Sequence, residues 1–108
     1  MSGTVLLVDD DRGMGDMLVR ALSKKGFSAK HASSGAEALA QLDAESFDVV
    51  VTDLNMKGLD GLGLCRRIVE KQPDVPVIVI TAFGSMETAI SAIRAGATCF
   101  LNYDEWLR

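Results

Sequence analysis

Phe47-Asp48-Val49-Val50-Val51-Thr52-Asp53 is a short, β-branched apolar run that ends on a carboxylate. A second run, Thr4-Val5-Leu6-Leu7-Val8, ends on the acidic triplet Asp9-Asp10-Asp11. Runs of this length and composition, each followed by turn residues, read as buried strands. A carboxylate at the end of a buried strand is costly unless something uses it. In open α/β sheets that edge is where ligands bind. Clustered acids repel one another and favour a hard cation.

Outward from these two runs, strand and helix patterns alternate. Thr4 to Val8 is the first strand. Met14, Met17, Leu18, Ala21 and Leu22 then recur at helical spacing, and Gly26 stops that helix. Phe27 to Ala32 is a weaker second strand. Ser33 or Ser34 caps a helix carrying Ala36, Leu39, Ala40 and Leu42, with Glu37 in its first turn. Asp48 to Thr52 is the third strand. Leu64, Cys65, Ile68 and Val69 mark a third helix, begun by Asp60 as cap and ended before Pro73. Val75 to Thr81 is the fourth strand, with Pro76 at its start, where a missing donor is tolerated. Ser85 caps a helix with Met86, Ala89, Ile90 and Ile93 on one face, and Gly96 ends it. Cys99 to Leu101 is a short fifth strand. Near-continuous apolar strands in the order βαβαβαβαβ predict an α/β domain: a doubly wound five-stranded parallel sheet with helices on both faces and right-handed crossovers. Only Asn102 to Arg108 remain, too few for a stable final helix.

Composition sets bounds on function. The 108 residues are enough for one domain with a core. Apolar content of 48% is ordinary for a globular protein, and a net charge of −4 with no cluster of Lys and Arg points away from a nucleic-acid footprint. Lys24-Lys25 and Arg66-Arg67 read as solvated helix faces. No apolar run approaches the length of a membrane span, and the N-terminus enters a strand without a signal peptide. Cys65 and Cys99 lack metal-ligand spacing and read as small packed hydrophobes. The expected location is the cytoplasm. His31, the one histidine, reads as structural or surface, which leaves little for a Ser-His or His-metal site. Gly13-x-Gly15 follows a strand, but Leu18 stands where a dinucleotide fingerprint needs its third glycine.

Asp9, Asp10, Asp53 and Thr81 all fall at strand ends, with Asn55 and Phe83 just beyond. Taken alone, Asp9 and Asp10 also fit helix caps, and Asp53 a turn. Jointly, the segments Val-Leu-Leu-Val-Asp-Asp-Asp, Val-Val-Val-Thr-Asp-Leu-Asn-Met-Lys-Gly-Leu-Asp-Gly and Pro-Val-Ile-Val-Ile-Thr-Ala-Phe-Gly resemble the receiver domain of bacterial two-component response regulators. Thr-Ala-Phe-Gly-Ser-Met-Glu-Thr-Ala with Ile-Arg-Ala-Gly-Ala is most similar to receivers of the nitrogen-regulator class, which precede an ATPase and a DNA-binding domain.

The resemblance covers essentially all of residues 1–108 and implies a flavodoxin-like strand order 2-1-3-4-5, here truncated after the fifth strand. It implies a signalling phosphoacceptor rather than an enzyme. Asp53 would take a phosphoryl group from a histidine kinase. Asp10, with Asp9 mainly through water, Asp53 and the backbone carbonyl of Asn55 would hold Mg²⁺. Thr81 would bind the phosphoryl group and Phe100 would be the aromatic switch coupled to it. The sequence departs from the pattern at Tyr103 and Asp104, where receivers carry lysine and proline, and at Lys57, where they carry proline. A tyrosine hydroxyl is neutral at pH 7 and gives a weaker contact to phosphate than an ammonium. The alternative function is therefore a degenerate receiver that only binds a partner. A haloacid-dehalogenase phosphatase is disfavoured, because Asn55 occupies the place of its second Asp. Without a last helix, part of Val5, Leu7, Val77, Val79 or Leu101 is expected to be exposed. The chain is then expected to be either destabilised or self-associated, with Trp106 and Leu107 near the contact.

Overall fold

The computed structural model describes residues 3–81 and 84–102. Phe83, Tyr103, Asp104, Trp106 and Leu107, with the roles expected of them, lie outside the described residues. The elements alternate as β1 (Thr4–Val8), α1 (Arg12–Lys24), β2 (Ser28–Ala32), α2 (Gly35–Ala44), β3 (Val49–Asp53), α3 (Gly61–Lys71), β4 (Val77–Thr81), α4 (Met86–Arg94) and β5 (Cys99–Asn102). The strands pair in parallel in the order β2-β1-β3-β4-β5, as the resemblance implied. Among the described residues no helix follows β5.

Element starts differ from the sequence reading where a local bond competes with the ladder. Phe27 stays out of β2 because its N–H closes the end of α1 on the Leu22 carbonyl (3.1 Å), past Gly26 at φ +93°. Asp48 precedes β3, where its carboxylate accepts the Thr4 N–H at 2.7 Å. Val75 and Pro76 precede β4, because proline has no N–H to donate. Pro76 offers only its carbonyl, to Val50 N–H at 3.0 Å. The helix caps are side-chain oxygens: Asp11 for α1, Ser34 for α2, Asp60 for α3 and Ser85, in a capping box, for α4.

Alternation along the strands builds a core on each face of the sheet. Leu6, Val8, Val50, Val77 and Val79 pack with Ala38 and Leu42 of α2, Leu64, Cys65 and Ile68 of α3, and Ala92 of α4. Val5, Leu7, Val51 and Ile80 pack on the other face with Leu18 of α1. Three expected helix faces are corrected. On α1, Leu18 is buried as expected, but Met17 is exposed and Gly15 is buried in its place. On α2, Ala36 and Ala40 are exposed, while Gly35, Ala38 and Leu42 are buried. On α4, Met86, Ile90 and Ile93 point to solvent and Ala92 is the buried residue.

The expected exposure of the sheet is met at Leu101 and corrected at the other four positions. Val5, Leu7, Val77 and Val79 are all buried, and Val77 and Val79 lie on the face that α2, α3 and α4 cover. Partial exposure on the α1 face falls at Val49, Ile78 and Leu101. A groove of about 330 Å³ opens there, lined by Val5, Leu22, Phe27, Val49, Val51 and Ile78 among others.

Candidate functional site

The sheet order places β1 beside β3 and β3 beside β4, so the carboxyl ends of three strands meet at one edge. Asp9 follows β1, Asp53 ends β3 and Thr81 ends β4. The register sets Val8 opposite Thr52 and Asp53 opposite Ile80. Asp9 and Asp53 therefore each stand one residue beyond a ladder pair, and Thr81 one residue past the partner of Asp53. Strand pairing alone assembles the group.

Carboxylate oxygens of Asp9, Asp10 and Asp53 lie within 4.8 Å of one another. Asp9 is buried (2% exposed), Asp53 is half-buried and Asp10 is exposed. Burial, and next the charge of Asp9, push the Asp53 carboxyl up to about 6, and Asp10 adds to the rise. Backbone N–H groups of Asn55 and Leu54 pull against it. A carboxylate whose ionisation is resisted by two neighbours is a site where a cation is strongly favoured. The donors are hard oxygens, the set that Mg²⁺ and Ca²⁺ take.

Asp9 is held at several atoms. Its N–H donates to the Ala32 carbonyl (3.1 Å), and its Oδ1 accepts the Asp11 N–H (2.9 Å). Its own carbonyl lies 2.7 Å from His31 Nε2, and since a carbonyl only accepts, that nitrogen carries the proton. Asp10 Oδ2 accepts the backbone N–H of Lys57 at 3.2 Å, which ties the β3–α3 loop to the acids. Asn55, Met56 and Lys57 line, with Asp10, Asp60 and Thr88, a hollow of about 520 Å³ beside them. Gly61 at the start of α3 packs on the end of β3: a Cβ there would stand 2.3 Å from the Asp53 carbonyl. Only glycine lets that helix approach so closely.

The structure thus brings together Asp9, Asp10 and Asp53 as the sequence suggested, with Asn55 on the adjoining loop. Thr81 is fully buried at the same edge. Phe100 is half-buried on β5, paired with Val79, and packs against the core beneath α4. Thr81 pairs with Asn102, so Phe100 is its diagonal neighbour on one sheet face. Asp11 and Asp60 are caps and stand apart from the acid cluster. His31 is the residue the sequence reading set aside. The signal available was Gly15, a glycine inside a helix, whose Cβ would lie 2.4 Å from the His31 ring.

Comparison with known proteins agrees with this geometry. The family described as the response regulator receiver domain matches residues 5–103. The transcriptional regulatory protein GlrR of Escherichia coli (strain K12) is 43% identical over 97 residues, which span 90% of this chain and 22% of that protein. The DNA-binding transcriptional regulator NtrC of the same strain is 38% identical over 99 residues, 92% of this chain and 21% of that protein. The chain therefore spans about a fifth of the length of these relatives. Among solved structures, NtrX from Brucella abortus aligns with a TM-score of 0.90 at 34% identity, covering 99% of this chain and 25% of that one. A response regulator from Burkholderia pseudomallei, solved with a phosphorylated aspartic acid, a calcium ion and citrate, aligns with a TM-score of 0.87 at 31% identity, covering 94% of this chain and 59% of that one. With five parallel strands in this order and three carboxylates at their shared edge, the chain belongs to the response regulator receiver domain family.

Proposed function

We propose that this receiver accepts a phosphoryl group on Asp53 from the phosphohistidine of a histidine kinase. The observation that carries the reading is the cluster of Asp9, Asp10 and Asp53 at one sheet edge, with the Asp53 carboxyl pushed up to about 6. In the reaction an Asp53 oxygen attacks phosphorus, the P–N bond breaks, and the imidazole leaves. Ionised Asp53 is the nucleophile. Asp10, Asp53, the Asn55 carbonyl and, through water, Asp9 are the groups that would hold Mg²⁺. That ion supplies charge neutralisation for the carboxylates and the incoming phosphoryl oxygens. Thr81 would donate its hydroxyl to the phosphoryl group, and Phe100 beside it would report the change to the α4–β5 side.

Transfer from acetyl phosphate with and without Mg²⁺, followed by mass spectrometry, tests the reading. One added phosphoryl group should appear only with the metal and be absent in Asp53→Ala. A product that persists in Asp53→Ala means that another residue is the acceptor.

Tyr103, at the position of the family's lysine, favours a second reading in which phosphorylation and switching are uncoupled. Tyr103→Lys should then enlarge the chemical-shift response of Thr81 and Phe100 to a phosphate mimic. Equal responses in the two proteins would dismiss this reading.

By likeness to GlrR and NtrC, the domain would be the cytoplasmic input of a longer transcription regulator with ATPase and DNA-binding parts. Among the described residues no helix is long and apolar enough to cross a membrane. Self-association rests on the apolar groove beside α1. A single monomer boundary at high concentration in sedimentation velocity would dismiss it.

A further inference from the structure

We infer that His31 is a positioning residue for the acid cluster, and that Gly15 exists in α1 to let it act. The inference rests on the proposed metal-binding role of Asp9, Asp10 and Asp53.

The ladder between β1 and β2 runs out at Asp9, whose N–H takes the Ala32 carbonyl. Beyond Ala32 the chain turns into α2: the Ser33 N–H goes to Glu37 Oε2 at 3.1 Å, and Ser34 becomes the cap. The Asp9 carbonyl is bonded instead by a side chain, His31 Nε2 at 2.7 Å. The imidazole continues the ladder by one rung and fixes the peptide that follows the buried Asp9. That peptide leads directly to Asp10, so its orientation sets where both carboxylates point. Groups that orient metal ligands from behind commonly change affinity 10- to 100-fold when removed.

The ring reaches this place across α1. A Cβ at Gly15 would stand 2.4 Å from both Cε1 and Nε2 of His31, far inside contact distance. Glycine within a helix is otherwise unfavourable relative to alanine. Gly15 is also buried, so solvent exposure does not explain it. The pair is one device: a bare helix backbone on one side, a donor ring on the other.

The test is isothermal titration of MgCl₂ into the protein at pH 7.5, with amide NMR spectra to establish that each variant is folded. The wild type should bind Mg²⁺. His31→Phe keeps a ring without a donor and should bind about tenfold more weakly. Gly15→Ala should weaken binding similarly by displacing the native ring. His31→Gln, which retains an N–H donor, should keep most of the affinity. It should also rescue Gly15→Ala in the double variant, because the flexible amide yields where the ring cannot. A wild type that binds no Mg²⁺ overturns the metal-site reading and this inference together. A wild type that binds, beside a folded His31→Phe of equal affinity, overturns the role of His31 alone. Loss of the native spectrum in both His31→Phe and Gly15→Ala also overturns it, by making the pair a requirement of the fold.

Discussion

Asp53 holds its proton more tightly in the fold than an ordinary aspartate does, at about 6 against 3.8. Between these values the native chain binds more protons than the unfolded one, so stability falls as pH rises through that window and stays at its lower level above it. Asp53→Asn removes the cost. The size of the shift would suggest about 3 kcal/mol, but the group is half exposed to screening water, so about 1 kcal/mol is expected. The metal-free variant should therefore melt higher than the wild type at pH 8 and equal to it at pH 3.5. A melting difference independent of pH would contradict the assigned cause. The acids were legible in the sequence because carboxylates at the ends of apolar runs are conspicuous against their surroundings. His31 was not. Its importance depends on which helix residue faces it, and the match of Gly15 to His31 arises from packing between α1 and β2, which no local pattern encodes.

At the scale of elements, helix existence was readable and helix orientation was less so. Met17, Met86, Ile90 and Ile93 satisfy helical periodicity, yet all four are exposed. The small residues Gly15 and Ala92 are buried in their stead, because close approach of helix to sheet selects for little volume. Stability should follow burial rather than apolar character. Leu18, fully buried, anchors α1 to the sheet. Leu18→Ala should cost about 2–5 kcal/mol in denaturant unfolding. Ile93→Ala, at a position 52% exposed, should change stability by no more than about 0.5 kcal/mol. Similar costs at the two sites would mean that the assigned faces of α1 and α4 are wrong. Strand ends were less legible than strand centres, because Asp48 and Pro76 divert the backbone by a carboxylate bond and a missing donor.

For the molecule as a whole, the alternation of apolar strands and helices was enough to give a parallel doubly wound sheet. The position of β1 between β2 and β3 came from resemblance, since periodicity carries no information about which strands are neighbours. A cation held by the native site alone should stabilise the whole domain, by about 1.4 kcal/mol at ten times its dissociation constant. Added Mg²⁺ should thus raise the melting temperature of the wild type and leave Asp10→Ala nearly unmoved. Equal rises in both would show that the ion acts elsewhere. The joint between β1 and β3 also has a meaning in time. Asp9 and Asp10 follow β1 and Asp53 ends β3, and no ligand cluster exists until those two strands, separated in sequence by α1, β2 and α2, have paired. If that pairing completes after the rate-limiting barrier, Mg²⁺ cannot hasten folding. It can only hold the finished molecule closed. In stopped-flow chevrons the unfolding arm should drop with Mg²⁺ while the refolding arm stays put. The ion would then act as a latch on a completed fold, and not as a seed for it.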